Sequence, residues 1–415
     1  MSSTVVIGAG IIGLSTAYYL SDHQPPSTIH LVESSPELFS SASGYAGGFL
    51  AKDWFKSQLL SLGALSFELH KKLAAAHSGR EKWHYSPTTS FNYAPSRQDG
   101  GQKRGDDWLR HGTSRAQAAP TEPEVTDGDD AKDLAAAPSW LRRIPGDHIE
   151  LTSTEETTAQ LDPLLLCRFL LEECRKRGVK LHHPATVTSV SADLRGELSS
   201  VRIVDAGSGA ETDLPCTRVI IAAGAWSGRV FRELFRLSDL EIPVGSLAGH
   251  SVVVRSPRWK GEEGERCHAV YTTHGKGFSP EMYARVGGEI YLAGLNLGVM
   301  PLPRVTGKAP VVGEDMERVR ETADMLLGDD LEIVREGLCF RPVTPWGVPI
   351  IERITDEHLG PGMGTRAGAD GGVYVVTGHG PWGIALSLGT GLVVAEWAQG
   401  RPLSADVSGL GLKMT

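Results

Sequence analysis

The run Gly8-Ala9-Gly10-Ile11-Ile12-Gly13 constrains this 415-residue chain more than any other feature. It follows an apolar stretch that reads as a buried parallel strand over residues 4–10, and it opens a stretch of helical apolar spacing over 11–21. A second short apolar strand is expected over 28–33, which closes a β-α-β unit in about thirty residues. An acid, Glu33, ends that strand, with Ser34 next to it. Gly8 permits the tight turn, Gly10 lets the backbone approach a pyrophosphate without a Cβ in the way, and Gly13 brings helix and strand together. The helix start at Ile11 and Ile12 offers unpaired N–H groups and partial positive charge to phosphates. Glu33 suits ribose hydroxyls and repels a 2′-phosphate.

Composition narrows the class. Forty-nine glycines, where average usage gives roughly 30, cluster in short motifs without a collagen-like period. The formal net charge is −9 and Lys and Arg are scattered, so no basic stripe argues for nucleic acid. No apolar stretch approaches the ~20 residues that span a bilayer, and cytoplasmic residence is expected. Five cysteines, at 167, 174, 216, 267 and 339, form no close pair and argue against a disulfide framework or structural zinc. No metal site is expected.

Along the chain, helices are expected over 53–76, 162–177 (ended by Gly178) and 315–327, with a β-like aromatic stretch over 83–93. Short strands are expected over 180–183, 185–191, 200–205 and 219–223. Residues 241–256, 268–273 and 281–295 read as antiparallel strands of a second sheet, and 373–377 as a last buried strand before a helix reaching about residue 399. Between Pro95 and Pro138, Gly, Asp, Arg, Ala and Pro dominate, a composition that buries too little apolar area to offset its ordering entropy. That segment reads as a mobile insertion and a candidate protein-partner surface.

Both NAD and FAD use the opening grip, so downstream residues must discriminate. Ser40-Ser41-Ala42-Ser43-Gly44-Tyr45-Ala46-Gly47-Gly48 offers small residues for contact with a phosphate or flavin edge. The 219–223 strand runs into Ala223-Gly224-Ala225-Trp226, where a bulky cofactor has room. Thr377-Gly378-His379-Gly380-Pro381-Trp382-Gly383-Ile384 places glycines before a helix, whose N–H groups stabilise negative charge on a reduced flavin ring. A simple NAD fold has no need of that last block.

These blocks, with 341–351, occur in the order found in the D-amino-acid-oxidase-type FAD oxidoreductases, which include glycine, sarcosine and fructosyl-amino-acid oxidases, and the chain resembles that family over nearly its whole length. More loosely, it looks like a fungal branch of oxidoreductase-like proteins associated with late endosome-to-Golgi transport, which would place it at the periphery of late endosomes. The resemblance implies a mixed α/β (α+β) fold: a Rossmann-type FAD-binding domain of discontinuous segments (1–55, 150–235 and 335–405), and a substrate domain with a mixed, largely antiparallel sheet (56–149 and 236–334). It implies that Val187 meets the adenine through its backbone, and that FAD accepts hydride from a carbon beside nitrogen in a small amine or amino acid.

Arg341 matches an arginine that forks onto the substrate carboxylate in glycine-oxidase-like relatives, a geometry guanidinium suits; the competing reading is an arginine paired across a domain interface. Cys339 stands at the offset of a cysteine that bonds flavin in sarcosine-oxidase-like relatives, although Phe340-Arg341-Pro342 departs from their pattern and a buried free thiol is expected. Some relatives carry a lysine over the flavin where this chain has Tyr291. Tyr283, Arg285 and Tyr291 are candidates to face the ligand, with strand alternation and core packing as the competing reading, and His379 and His250 are the candidate histidines. The alternative function is a flavin-bearing regulatory protein of endosome-to-Golgi traffic with little or no turnover.

Overall fold

A computed structural model of the chain describes residues 3–94, 137–261, 266–274, 276–298, 300–305 and 312–413. Nearly all of the expected 95–138 insertion lies outside them.

Val5, Val6 and Ile7 have no polar side chain to expose, and the strand they form, Thr4–Ile7, sits in the middle of a six-stranded sheet. Its order is Ile350–Ile354, Gly372–Thr377, Arg218–Ile221, Thr4–Ile7, Ile29–Val32, Lys180–His182. All pairings are parallel except the first, where Ile350–Ile354 runs antiparallel to Gly372–Thr377. Three central strands are buried at every position, as expected of a sheet covered on both faces. The covering helix Ile11–Leu20 packs against Gly383–Ala398, and both are apolar nearly all round because each lies inside the core.

A nine-stranded sheet forms the other half. Its order is Glu332–Val343, Gly245–Arg255, Glu289–Leu297, Glu281–Ala284, Cys267–Thr272, Ser86–Ala94, Thr158–Gln160, Phe49–Ala51, and His148–Ser153 also pairs with Ser86–Ala94. The sheet is mixed and largely antiparallel, as expected: Cys267–Thr272 runs parallel to Ser86–Ala94, and the other pairings are antiparallel. A small antiparallel sheet, Ala185–Ala192, Leu198–Asp205 and Glu211–Pro215, completes the fold.

Helix Pro163–Arg177 shows why local signals worked where they did. Asp162 caps it by accepting from the Leu165 N–H at 3.0 Å, Pro163 occupies the first turn, and Gly178 ends it at φ 101°. Elsewhere packing overrode propensity. The helix expected from residue 53 begins only at Leu60, because Trp54 and Phe55 are drawn into the core and a 3-10 turn, Ser57–Leu59, intervenes. Residues Gly79–Trp83 are helical, so the strand expected from 83 starts at Ser86. The Glu211–Pro215 strand escaped notice because only Leu214 among its residues is buried.

Candidate active site and dinucleotide cleft

One long cleft, with about 1880 Å³ of space not filled by protein atoms (its solvent mouth included), runs from the opening glycine turn to the face of the large sheet. At one end it is lined by Gly8, Gly10, Ile11, Ile12, Glu33 and Ser34. Ser41, Ala42, Ser43, Ala46, Gly47 and Gly48 form its next wall, and Val187 reaches it from the small sheet. Ala223, Gly224 and Trp226 line the middle, and Gly380, Pro381, Gly383 and Ile384 close it.

Two expected contacts fall elsewhere. Gly13 is behind the turn, where an added Cβ would stand 1.9 Å from the Gly8 carbonyl oxygen; its absence of a side chain serves helix–strand approach alone. Trp382 does not line the cleft: its ring packs edge-on against Phe55, 4.9 Å between centroids, inside the core. A large indole in a glycine-rich turn gains more by burial there than beside a polar ligand.

The cleft's hydrogen-bonding groups and open space suit FAD. The Glu33 carboxylate accepts from the Ala9 N–H (2.9 Å) and the Ser35 N–H (2.8 Å), which stiffens the turn and holds the acid at the strand end. Ser43 Oγ accepts from the Ile11 N–H at 2.9 Å, so a hydroxyl marks the helix start. Ser41 Oγ is buried on the cleft wall with no hydrogen-bond partner among the described residues. Gly224, at φ +54°, faces open space where a Cβ would project, and Thr377 Oγ1 donates to its carbonyl at 2.7 Å.

The far end is built on the large sheet. Tyr283 and Tyr291 are direct cross-strand neighbours whose rings stack 5.7 Å apart at 2°. Glu281, two residues before Tyr283 and on the same face, lines the cleft and accepts from the Tyr283 hydroxyl at 2.8 Å. Arg341 and Cys339 project from Glu332–Val343 into the same space. Arg341 Nη1 donates to Asn296 Oδ1 at 2.6 Å. Asn296 is directly opposite Gly249, and a Cβ on Gly249 would stand 1.9 Å from that same Nη1.

Arg285 is not in the cleft. It is fully buried, pairs with Asp162 at 3.0 Å, and donates to the Ala46 and Gly47 carbonyls at 3.1 and 2.9 Å, bracing the turn from behind. His250 is also outside, with its Nε2 accepting from the Val312 N–H. His379 does reach the cleft, but burial depresses its pKa to about 3, and its Nε2 lies 3.2 Å from Thr390 Oγ1. Burial pushes the Tyr291 phenol up to about 12 and raises the Cys339 thiol. Near neutral pH these three side chains are uncharged, and none is poised to take a proton.

Sequence reading missed Glu281, Asn296 and Gly249. Period-two alternation from Tyr283 points to Glu281; nothing local points to the others, whose roles arise from strand register.

The family described as FAD dependent oxidoreductase matches residues 3–397. The chain belongs to that family. This oxidoreductase is similar over 410 residues, at 26% identity, to the protein named "Putative oxidoreductase C1F5.03c" of Schizosaccharomyces pombe, covering 94% of this chain and 92% of that one. It is 24% identical to "Putative oxidoreductase TDA3" of Saccharomyces cerevisiae, covering 99% and 94%. The fold of the oxidoreductase is that of glycine oxidase from Geobacillus kaustophilus, at a TM-score of 0.71 and 19% identity over 100% of this chain and 99% of the other. Among the described residues no helix is long and apolar enough to cross a membrane.

Proposed function

We propose that this FAD-dependent oxidoreductase oxidises the C–N bond of a small amine or amino acid, with a carboxylate on the substrate held by Arg341. The observation that carries this reading is a buried guanidinium and a stacked tyrosine pair in the same cleft as the glycine turn. Bound FAD supplies the two-electron acceptor for a hydride leaving the carbon beside nitrogen.

The chain's own residues supply position and environment. The glycine turn and the Ile11 helix start receive the pyrophosphate, Glu33 the ribose, and Val187 the adenine side. Arg341 orients a carboxylate, and the apolar faces of Tyr283 and Tyr291 exclude water from the reacting carbon. His379 is neutral and serves packing, so no acid–base pair is required. Segments 1–55, 150–235 and 335–405 are assigned to cofactor binding, a division supported by the six-stranded sheet drawing two strands from each. Segments 56–149 and 236–334 are assigned to the substrate side.

The test is anaerobic mixing of the purified flavoprotein with D- and L-amino acids, N-methyl amino acids and glycated amino acids. Bleaching of the flavin by at least one class supports the proposal. A flavin that dithionite reduces and none of the panel does would favour instead a flavin-bearing regulator of endosome-to-Golgi traffic.

A further inference from the structure

Glu281 is a carboxylate 5% exposed, on the wall of the cleft that also holds Arg341, itself 9% exposed. A carboxylate taken out of water is unfavourable by several kcal/mol unless hydrogen bonds and a cation compensate it. The Tyr283 hydroxyl supplies one such hydrogen bond at 2.8 Å and, by stacking on Tyr291, holds the carboxylate at the sheet face. Arg341 is oriented by Asn296 Oδ1, which reaches it from two strands away, across Gly249. Both charges act on the same two side chains: the Tyr291 phenol and the Cys339 thiol each feel Arg341 and Glu281. A small cleft presenting one fixed cation and one fixed anion is complementary to a ligand that carries both charges.

We propose that Glu281 is the recognition residue for the substrate's cationic amine, so that with Arg341 it selects zwitterions, molecules bearing both a carboxylate and an ammonium group, over plain amines and plain acids. This rests on the cleft being the substrate site and adds the amine-side contact; the ammonium received there gives up one proton, to the Glu281 carboxylate or to solvent, before hydride leaves the neighbouring carbon. Glu281 contacts the substrate through its carboxylate; Tyr283 is a positioning residue that holds that carboxylate.

The experiment measures dissociation constants from flavin absorbance changes on anaerobic stopped-flow mixing with alanine (each enantiomer), propionate and ethylamine. Propionate lacks the amine of alanine and ethylamine lacks its carboxylate. In the unaltered protein the better alanine enantiomer is expected to bind about tenfold or more tighter than either fragment, the range of one charged hydrogen bond. In Glu281→Gln, which keeps an acceptor for Tyr283, alanine is expected to weaken about ten- to hundredfold while propionate changes less than about twofold. Equal binding of propionate and alanine in the unaltered protein overturns the proposal without any variant. Equal weakening of both in Glu281→Gln, or no weakening of alanine, overturns it too, and leaves Glu281 as a support for Tyr283. Bleaching by some amine with Glu281-independent binding refutes this inference while the oxidase reading stands; Glu281-dependent alanine binding without bleaching does the reverse.

Discussion

The guanidinium of Arg341 occupies the volume a side chain at Gly249 would need: a Cβ there would stand 1.9 Å from Nη1 and 2.8 Å from Cζ. The two residues are on adjacent strands, and Asn296, opposite Gly249, accepts from the guanidinium through Oδ1 and holds it in place. Gly249→Ala should therefore displace Arg341 without touching the dinucleotide end. For a carboxylate substrate, kcat/KM is expected to fall about ten- to hundredfold, the scale of a 1 Å misplacement, while the flavin-to-protein absorbance ratio stays unchanged. Full retention of kcat/KM would show that Arg341 plays no part in orienting the substrate.

Gly13 makes the converse prediction. With 1.9 Å between its Cβ position and the Gly8 oxygen, Gly13→Ala must push the helix off the strand. Overpacking of this kind destabilises by about 1–3 kcal/mol, and here it also distorts the pyrophosphate turn. Loss of bound flavin together with a lower denaturation midpoint is the expected outcome. Flavin retained at full occupancy would contradict it.

The buried pair Arg285–Asp162 ties the large sheet to the helix beneath the cleft and to the 46–47 turn. Arg285→Met removes the paired cation from a buried carboxylate and is expected to destabilise by about 3–5 kcal/mol. Adding Asp162→Asn, which keeps a helix-capping oxygen, should restore part of that loss in urea denaturation. Burial alone would raise the Asp162 carboxyl, but Arg285, the Leu165 N–H and Arg335 outweigh it and hold the pKa below 3.8. Folding stability from this group is thus fully present above pH 3.8 and is lost as the pH falls through the lower folded value. A stability profile of Asp162→Asn that drops as steeply as that of the parent protein in this acid window would argue against the assignment.

For His379 the folded pKa of about 3 is below the ordinary 6.5 because burial disfavours the imidazolium. Between those values the unfolded chain binds a proton that the folded chain does not, so this group lowers stability as pH falls below 6.5, by at most about 1.4 kcal/mol per pH unit. It should contribute no ionisation to kcat between pH 5 and 9. If His379→Asn removed a titration from the kcat profile in that range, the histidine would have to be reinstated as a base.

Cys339 lines the cleft with its thiol pKa raised by burial, a poor state for a nucleophile. Acid precipitation is expected to leave all flavin colour in the supernatant. Colour in the pellet that Cys339→Ser abolishes would establish a thioether instead.

The dinucleotide half was legible in the chain because its determinants are local. The turn at Gly8–Gly13, the acid at 33, the capped helix after Asp162 and the uniformly apolar strands each depend on neighbours a few residues away, where backbone sterics and periodicity decide the outcome. What the tertiary structure alone decided is the substrate end. Glu281, Asn296, Gly249 and Arg341 come from four different strands, and their meeting depends on sheet register, including the bulge between Gly249 and Ser251. The same holds for residues that left the cleft: Trp382 found a larger apolar contact on Phe55, and Arg285 a buried carboxylate at Asp162. Side-chain destination follows from burial and charge pairing across the whole fold, which no local stretch of sequence contains.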